Sequence, residues 1–371
     1  MKILLVTEPS GGGSGRHVLD LASSLADHGH GVHVIWSGDR ADDWFVSKLA
    51  AQIKFSSSEL LMKRSIGPAD LRSYLMLAMF ILRHGPFDVT HGHSSKAGAL
   101  VRLVPGFIAG KKIYTPHAFR TMDPSMGSRG HAFYNLIERV LAYFCTAIIC
   151  VSRREFDHAL ALGIDHRKLR MVPNGANPLD EVDPPAEPDQ QDAVVIGFIG
   201  RLAEQKNPEL FVEAIKLAHA RDPRVRGLVL GDGALRSELE KKVGPEVVEF
   251  AGWVSTADYI REIDVFCQTS RYEAMPYTML EALFAGLPMI STDVGGVEET
   301  IQEGVNGFVL PFDASPTDVA EKMLLLAGDK ALRAEMSEQS RAISMTKTID
   351  VMATNTIDAY CNRPVPDKQV V

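Results

Sequence analysis

The sequence predicts an α/β protein made of two Rossmann-like domains in tandem. Three observations carry this. A short apolar strand, a turn and an amphipathic helix follow one another at Lys2 and again at Val194. Short apolar runs alternate with helical stripes after each start, the pattern of a parallel sheet with helical crossovers. Between the two halves, Pro178 to Asp192 (PLDEVDPPAEPDQQD) is rich in proline and acid, has no apolar period and reads as a linker. At 371 residues the chain has room for two or three domains.

In the first half, Lys2 to Thr7 is a buried strand, and Gly11-Gly12-Gly13-Ser14-Gly15 follows as a loop whose amides face whatever binds there. Arg16 to His28 continues as a helix with Val18, Leu21, Ala22 and Leu25 as its core stripe. The glycines fit a dinucleotide fingerprint poorly, so no NAD site is read from them. Val32 to Trp36 and Gln52 to Phe55 are the next strands, Leu71 to His84 a helix, and Phe87 to His91 a further strand. In His91 to Leu100 (HGHSSKAGAL), Ser94 or Ser95 caps the following helix. His91 and His93 share a strand face, but no third ligand of suitable spacing accompanies them, so no metal is expected. Lys96 beside a helix amino terminus suits a phosphate, and a solvated lysine is the alternative. Lys112 to Thr115 is a strand ending in Pro116-His117-Ala118-Phe119. That places His117 where parallel sheets bind ligands, unless it is a loop histidine satisfied by backbone. His131 to Phe144 is a helix, Ala147 to Val151 a strand, and Ser152 caps the next helix. Met171 to Gly175 closes the domain, which is expected to span 1–178.

The second half opens with the strand Val194 to Ile199 and the turn Gly200 to Asn207 (GRLAEQKN), and Pro208 starts a helix. Arg201 and Lys206 are placed to stabilise a departing anion, or else to pair with nearby acids. Gly227 to Leu230, Val248 to Phe250 and Asp264 to Gln268 are strand segments, Leu235 to Val243 a helix, and Gly252-Trp253-Val254 a turn. The half is organised around Ser270 to Glu299. Pro276 can open a helix without losing a hydrogen bond. Leu280, Leu283, Phe284 and Leu287 form its apolar stripe, and Gly286 with Pro288 stops it. Met289 to Thr292 is a strand, and Gly295-Gly296 lets backbone approach a ligand. The turn Ala274, Met275, Pro276, Tyr277 at a helix amino terminus suits an anion. Glu273 and Glu281 flank it, and Glu281 could accept hydrogen bonds from hydroxyls or be a solvated helix charge. A phosphate with a polyol beside it describes a sugar nucleotide. Phe308 to Pro311 is the last strand, Pro316 to Ala327 a helix, and the helical residues from Leu332 to Tyr360 return toward the first domain. The expected boundaries are a linker over 179–192, a second domain over 193–340 and a returning helix with tail over 341–371.

Glu273 and Glu281 with seven residues between them, then Ala282, Gly286, Pro288 and Gly295-Gly296, resemble the signature of glycosyltransferase family 4. The GRLAEQKN turn, the Pro116-His117 strand end and the HSSKAG stretch extend the resemblance over nearly the whole chain. HSSKAG resembles the subset that extends lipid-linked oligosaccharides in bacterial surface-polysaccharide assembly. The resemblance implies the GT-B fold, two Rossmann-like domains facing across a cleft, and transfer of a hexosyl group from a nucleotide diphosphate sugar with retention of configuration. It implies Arg201 and Lys206 on the donor diphosphate, Val254 near the base, Glu281 on the ribose, and Glu273 and His117 on the transferred sugar. Gly12 and Gly13 come near the donor phosphates with Ala274, Met275 and Pro276; Gly15, His91, Ser94 and Lys96 fall on the acceptor side. Front-face attack, with the leaving phosphate taking the acceptor proton, is the implied mechanism. No cofactor or metal is required, since two cations can do a metal's charge work. Asn177 departs from the aspartate that many members carry. A sugar-nucleotide epimerase and a silent nucleotide-sugar-binding subunit are the alternatives.

Composition bounds the partners. Met1 to Pro178 holds 21 lysines and arginines against 14 acids, a net +7. Of the chain's 39 and 47, 18 and 33 fall after it, a net −15. A basic first half suits an anionic membrane surface or a phosphorylated lipid, and chance imbalance is the alternative. Lys63-Arg64, Arg72 and Arg83 flank the apolar run Tyr74 to Leu82, whose Leu75, Leu77, Phe80 and Leu82 read mostly as helix core. That run is too short to span a bilayer, which needs about 20 residues. The four cysteines (Cys145, Cys150, Cys267, Cys361) lack metal or redox spacing and read as free thiols in a reducing compartment. The expected location is cytoplasmic, at most peripheral on the inner face of the membrane, and no nucleic-acid partner is expected.

Overall fold

The computed structural model describes residues 1–63, 65–178 and 193–363. The expected linker over 179–192, Arg64 and the end of the tail lie outside the described residues. Two compact α/β units divide the chain.

The first unit begins with β1 (Lys2–Thr7), α1 (Gly12–Asp27), β2 (Gly31–Trp36), α2 (Asp43–Ala51), β3 (Ser56–Glu59) and α3 (Ala69–His84). It continues through β4 (Val89–His93), α4 (Ser94–Leu103), α5 (Gly106–Ala109), β5 (Lys111–Thr115), α6 (Ser128–Ala142), β6 (Ala147–Cys150), α7 (Arg153–Ala161) and β7 (Leu169–Met171). The strands form one parallel sheet in the order β3-β2-β1-β4-β5-β6-β7. Its order reverses between β1 and β4, and the carboxyl ends there are where such sheets bind ligands. Register sorts the two faces. Val6 aligns with Gly92, Tyr114 and Ile148, and that face is covered by α3, α4 and α6. Leu5 aligns with His91, Ile113 and Ala147 on the opposite face, covered by α1 and the chain's last helix, Ile349–Tyr360.

The second unit spans Ala176–Thr348. It runs β8 (Val194–Ile199), α8 (Pro208–Arg221), β9 (Val225–Leu230), α9 (Arg236–Lys242), β10 (Val248–Gly252), α10 (Thr256–Tyr259) and β11 (Val265–Gln268). Then come α11 (Tyr277–Ala285), β12 (Met289–Thr292), β13 (Gly307–Leu310), α12 (Pro316–Gly328) and α13 (Lys330–Ser344). The parallel sheet has the order β10-β9-β8-β11-β12-β13. α13 packs on α11 within this unit, and only the last helix, α14 (Ile349–Tyr360), joins the first.

Four local expectations are corrected. The glycine stretch is not a loop: Gly12 already begins α1, and the turn before it is Glu8 to Gly11. The third strand lies at Ser56–Glu59, because Gln52 bonds both Phe55 N and Phe55 O at 3.0 Å and closes 52–55 as a turn. Ser56 and Ser58 then place their hydroxyls on the His33 ring at 2.6 and 3.1 Å, so an edge strand forms from residues of low strand propensity. Neither Ser94 nor Ser95 caps α4; His93 holds the cap position, and Ser94 is the helix's first residue, at φ +67. In α3, Leu77 is buried, but Leu75 and Leu82 are exposed.

Candidate active site

In the second unit the site grows from the carboxyl ends of β8, β11 and β12, which are neighbours in the sheet. The GRLAEQKN turn and the loop after β11 are tied together by hydrogen bonds to backbone carbonyls. Arg271 N donates to Gln205 O at 2.8 Å, Gln205 Nε2 to Tyr272 O at 3.1 Å, and Thr269 Oγ1 to Asn207 O at 2.9 Å. This brings Lys206 Nζ to 2.7 Å from Glu273 Oε1, with both side chains largely buried. Ser270 Oγ donates to the same oxygen at 2.9 Å. Gly295 presses on this turn from β12's end: a Cβ there would lie 2.4 Å from Glu273 O and 2.5 Å from Ala274 O. Any side chain at 295 would therefore displace the segment that carries Glu273, Ala274 and Met275. Pro276 takes the N-cap of α11 and Tyr277 its first position, so the free amides of the first turn open beside that segment. Glu281 lies in the middle of α11, half-buried, and Val254 follows β10, half-buried against the apolar core. Arg201 is exposed, and its side chain makes no ion pair or hydrogen bond among the described residues. The structure thus joins Lys206 and Glu273 directly and leaves one cation of the turn unengaged.

The first unit holds a cluster of histidines at the carboxyl ends of β4 and β5 and the start of α1. His93 Nδ1 and His117 Nε2 are 3.1 Å apart. The His17 ring meets His117 edge-on with centroids 4.6 Å apart, and its Nδ1 bonds Asn174 Oδ1 at 3.0 Å. Burial lowers all of these pKa values, that of His17 to about 4 and those of His91, His93 and His117 well below the usual range, so the rings are neutral near pH 7. His117 and Ala118 both have left-handed backbone, at φ +54 and +75, conformations that cost of order 1–3 kcal/mol each. The buried Glu155 carboxylate holds them there, accepting from Ala118 N and Val151 N at 2.8 Å each. The strain fixes where the His117 ring stands.

Two acceptor-side assignments, His91 and Gly15, do not fit this geometry. His91 is fully buried, with one nitrogen on Tyr360 OH at 2.7 Å and the other on Thr115 Oγ1 at 2.8 Å; it is a core histidine with no nitrogen left for a ligand. Lys96 Nζ sits 2.6 Å from Asp70 and 2.9 Å from Ser65 O, so it is an ion-paired lysine like Lys206 and not a solvated one. Gly15 is inside α1, where a Cβ would lie 3.0 Å from Phe45, and it is glycine for packing. The Gly12 amide, placed near the donor phosphates by resemblance, donates instead to Asp42 at 2.8 Å; Gly13 is exposed in the first turn of α1, and Ser94 is half-buried at the start of α4.

Sequence reasoning missed His17, Asn174 and the buried Glu8, whose carboxylate meets Arg40 Nη1 at 3.1 Å at the end of β1. His17 had one signal, a polar residue beside Val18 on the buried side of an amphipathic helix. His17, His93 and His117 also bring ring nitrogens within 4.8 Å of one another, a set able to hold a metal ion. The third ligand that spacing along the chain did not reveal is supplied from other elements.

Comparison with known proteins decides the family. Glycosyltransferase Family 4 matches residues 11–178, and Glycosyl transferases group 1 matches residues 193–329. The chain belongs to the family-4 glycosyltransferases. A Klebsiella pneumoniae protein from the cps region, itself uncharacterized, is 31% identical over 66% of this chain and 71% of its own length. The Escherichia coli UDP-Gal:alpha-D-GlcNAc-diphosphoundecaprenol alpha-1,3-galactosyltransferase is 25% identical over 79% of this chain and 81% of its own. Among solved structures, Anabaena HepE in complex with UDP superposes with a TM-score of 0.81, covering 97% of this chain and 100% of that one at 19% identity. That likeness shows the fold: the two Rossmann-like units of this family-4 glycosyltransferase are those of GT-B. Among the described residues no helix is long and apolar enough to cross a membrane.

Proposed function

We propose that this glycosyltransferase moves a hexosyl group from a nucleoside diphosphate sugar to a saccharide carried on polyprenyl diphosphate, with retention, during surface-polysaccharide assembly. The observation that carries the donor half is the buried Lys206–Glu273 contact, with Arg201 exposed on the same turn. A lysine held 2.7 Å from a carboxylate is already desolvated and oriented before any ligand arrives. Its ammonium and the Arg201 guanidinium then face the diphosphate, whose negative charge grows as the bond to the anomeric carbon breaks. The free amides ahead of α11 receive phosphate oxygens beside Ala274, Met275 and Pro276. Val254 packs against the base, and Glu281 accepts the ribose hydroxyls. His117, neutral and fixed by its strained turn, and Glu273 orient the sugar. The acceptor oxygen bonds to the anomeric carbon on the face the phosphate leaves, and its proton passes to the departing phosphate oxygen. The E. coli relative named for a diphosphoundecaprenol-linked acceptor supports the lipid-linked half. An acceptor of that kind would bring the first unit, whose Met1 to Pro178 stretch carries the net +7, to an anionic membrane surface from the cytoplasmic side.

The test is thermal stabilisation by a panel of UDP- and GDP-sugars, then transfer of the labelled sugar from the best of them. A donor at 100 times its dissociation constant adds about 2.7 kcal/mol of stability. No stabilisation by any nucleotide sugar would end this reading, and interconversion of free nucleotide sugars without an acceptor would favour an epimerase. Within it, Glu281→Gln is expected to raise the donor constant more than it lowers turnover, as for a group that binds ground and transition states alike. The reverse split would move Glu281 to the chemistry.

The same reading assigns the charge work to Arg201 and Lys206, with no metal. Turnover is expected to survive exhaustive chelation. A loss that zinc restores would instead make His17, His93 and His117 a metal site.

A further inference from the structure

The helices on the Val6–Tyr114 face of the first sheet do more than cover it. α3 buries Ser73, Leu77 and Ile81 against the sheet. On its far side Leu71, Leu75, Met79 and Leu82 are exposed, Leu82 at 64%. At 100° per residue those four fall within about 80° of arc, with Arg72 and Arg83 beside them. α6 repeats the pattern. It buries Glu138 and Leu141 and exposes Phe133, Leu136 and Val140, and the turn that follows it adds Tyr143, 82% exposed, and Phe144. The three helical ones lie within about 60° of arc, with Arg129 among them and Arg139 beside them. α5, packed beside α3, adds Phe107, 91% exposed. Scattered exposed apolar residues are ordinary, but two aligned stripes on one helix layer are not.

The charges say what this layer meets. Arg72, Arg83, Arg129 and Arg139 are exposed and have no ion pair among the described residues. The carboxylates of the two helices are engaged elsewhere: Asp70 holds Lys96 and Glu138 holds Arg102. An apolar stripe that carries only cations suits the surface of an anionic bilayer, where side chains enter the acyl boundary and arginines meet headgroups. A second copy of the same face would set cation against cation. We infer that the outward face of the α3–α6 layer is a docking surface for an anionic lipid bilayer. The inference rests on the lipid-linked acceptor proposed above, which such docking would bring to the first unit.

Co-sedimentation with vesicles tests it, using the full chain and vesicles that contain no acceptor. Wild type is expected to bind phosphatidylethanolamine–phosphatidylglycerol vesicles at low salt, and phosphatidylcholine vesicles at least 10-fold more weakly. Leu75→Glu with Leu82→Glu, and Phe133→Glu with Leu136→Glu, are each expected to cut binding to the anionic vesicles at least 10-fold. Arg129→Glu with Arg139→Glu should also flatten the salt dependence. These positions are exposed, and unchanged melting temperatures would show that the variants fold. Wild-type affinity in both apolar variants overturns the proposal. So does a wild type that ignores the vesicles, including one that dimerises in solution through this face. The transferase reading fails separately: vesicle binding through this face with no nucleotide-sugar stabilisation would remove the reaction and leave the surface.

Discussion

Lys206→Ala is expected to lower turnover at saturating donor by about 100- to 1,000-fold, the range for removing one preorganised donor from developing negative charge. Two features make the effect large. The ammonium is held by Glu273 at 2.7 Å on a turn pinned by three further hydrogen bonds, so it is oriented before a donor binds. Arg201, the other cation of the turn, is exposed and solvated. The substitution also leaves the largely buried Glu273 carboxylate with the Ser270 hydroxyl as its one side-chain partner among the described residues, so some stability should be lost as well. The two losses separate experimentally. Lys206→Ala with Glu273→Gln removes the orphaned charge and should recover melting temperature without recovering turnover. Near-normal turnover in a folded Lys206→Ala protein would put the diphosphate elsewhere.

How much of this was legible depended on whether a contact is local in the chain. The strand Val194–Ile199, the turn after it and the helix start at Pro208 follow the expected bounds because each signal lies within a few residues: an apolar run, a glycine, a proline at the first helical position. The Glu273–Lys206 contact was foreshadowed only as a pattern, since its geometry depends on β8 and β11 lying side by side. His91 was misjudged for the same reason. Its partners Thr115 and Tyr360 are 24 and 269 residues away, and nothing near His91 says that both ring nitrogens are taken. The polar strand Ser56–Glu59 carries no apolar alternation, because it is an edge whose serines answer a single histidine on β2. Leu75 and Leu82 looked like core because periodicity reports an apolar stripe without saying which side of the helix the sheet occupies.

Arg102→Ala is expected to destabilise the first unit by about 3–5 kcal/mol, the cost of leaving a buried charge without its partner. Arg102 is fully buried in α4, unusual for an arginine. Its Nη1 meets Glu138 Oε2 of α6 at 2.8 Å, its Nε donates to Gly98 O at 3.0 Å, and its guanidinium stacks over Tyr114 at 3.9 Å. Tyr114 OH donates to the other Glu138 oxygen at 3.3 Å, so one carboxylate ties a strand and two helices. Truncation removes the cation and the π contact and strands Glu138 under α6. Replacing both charges with apolar groups of similar size, Arg102→Met with Glu138→Leu, should be far milder, because no buried charge is left unpaired. If the single and double variants melted together within about 1 kcal/mol of wild type, the pair would carry no weight in the fold. The consequence reaches the vesicle assay. α6 carries half of the inferred docking face, and Glu138 is the acid that turns its apolar stripe outward. Arg102→Ala should therefore weaken binding to anionic vesicles near its own melting range, while the double variant, with α6 still seated, should bind like wild type.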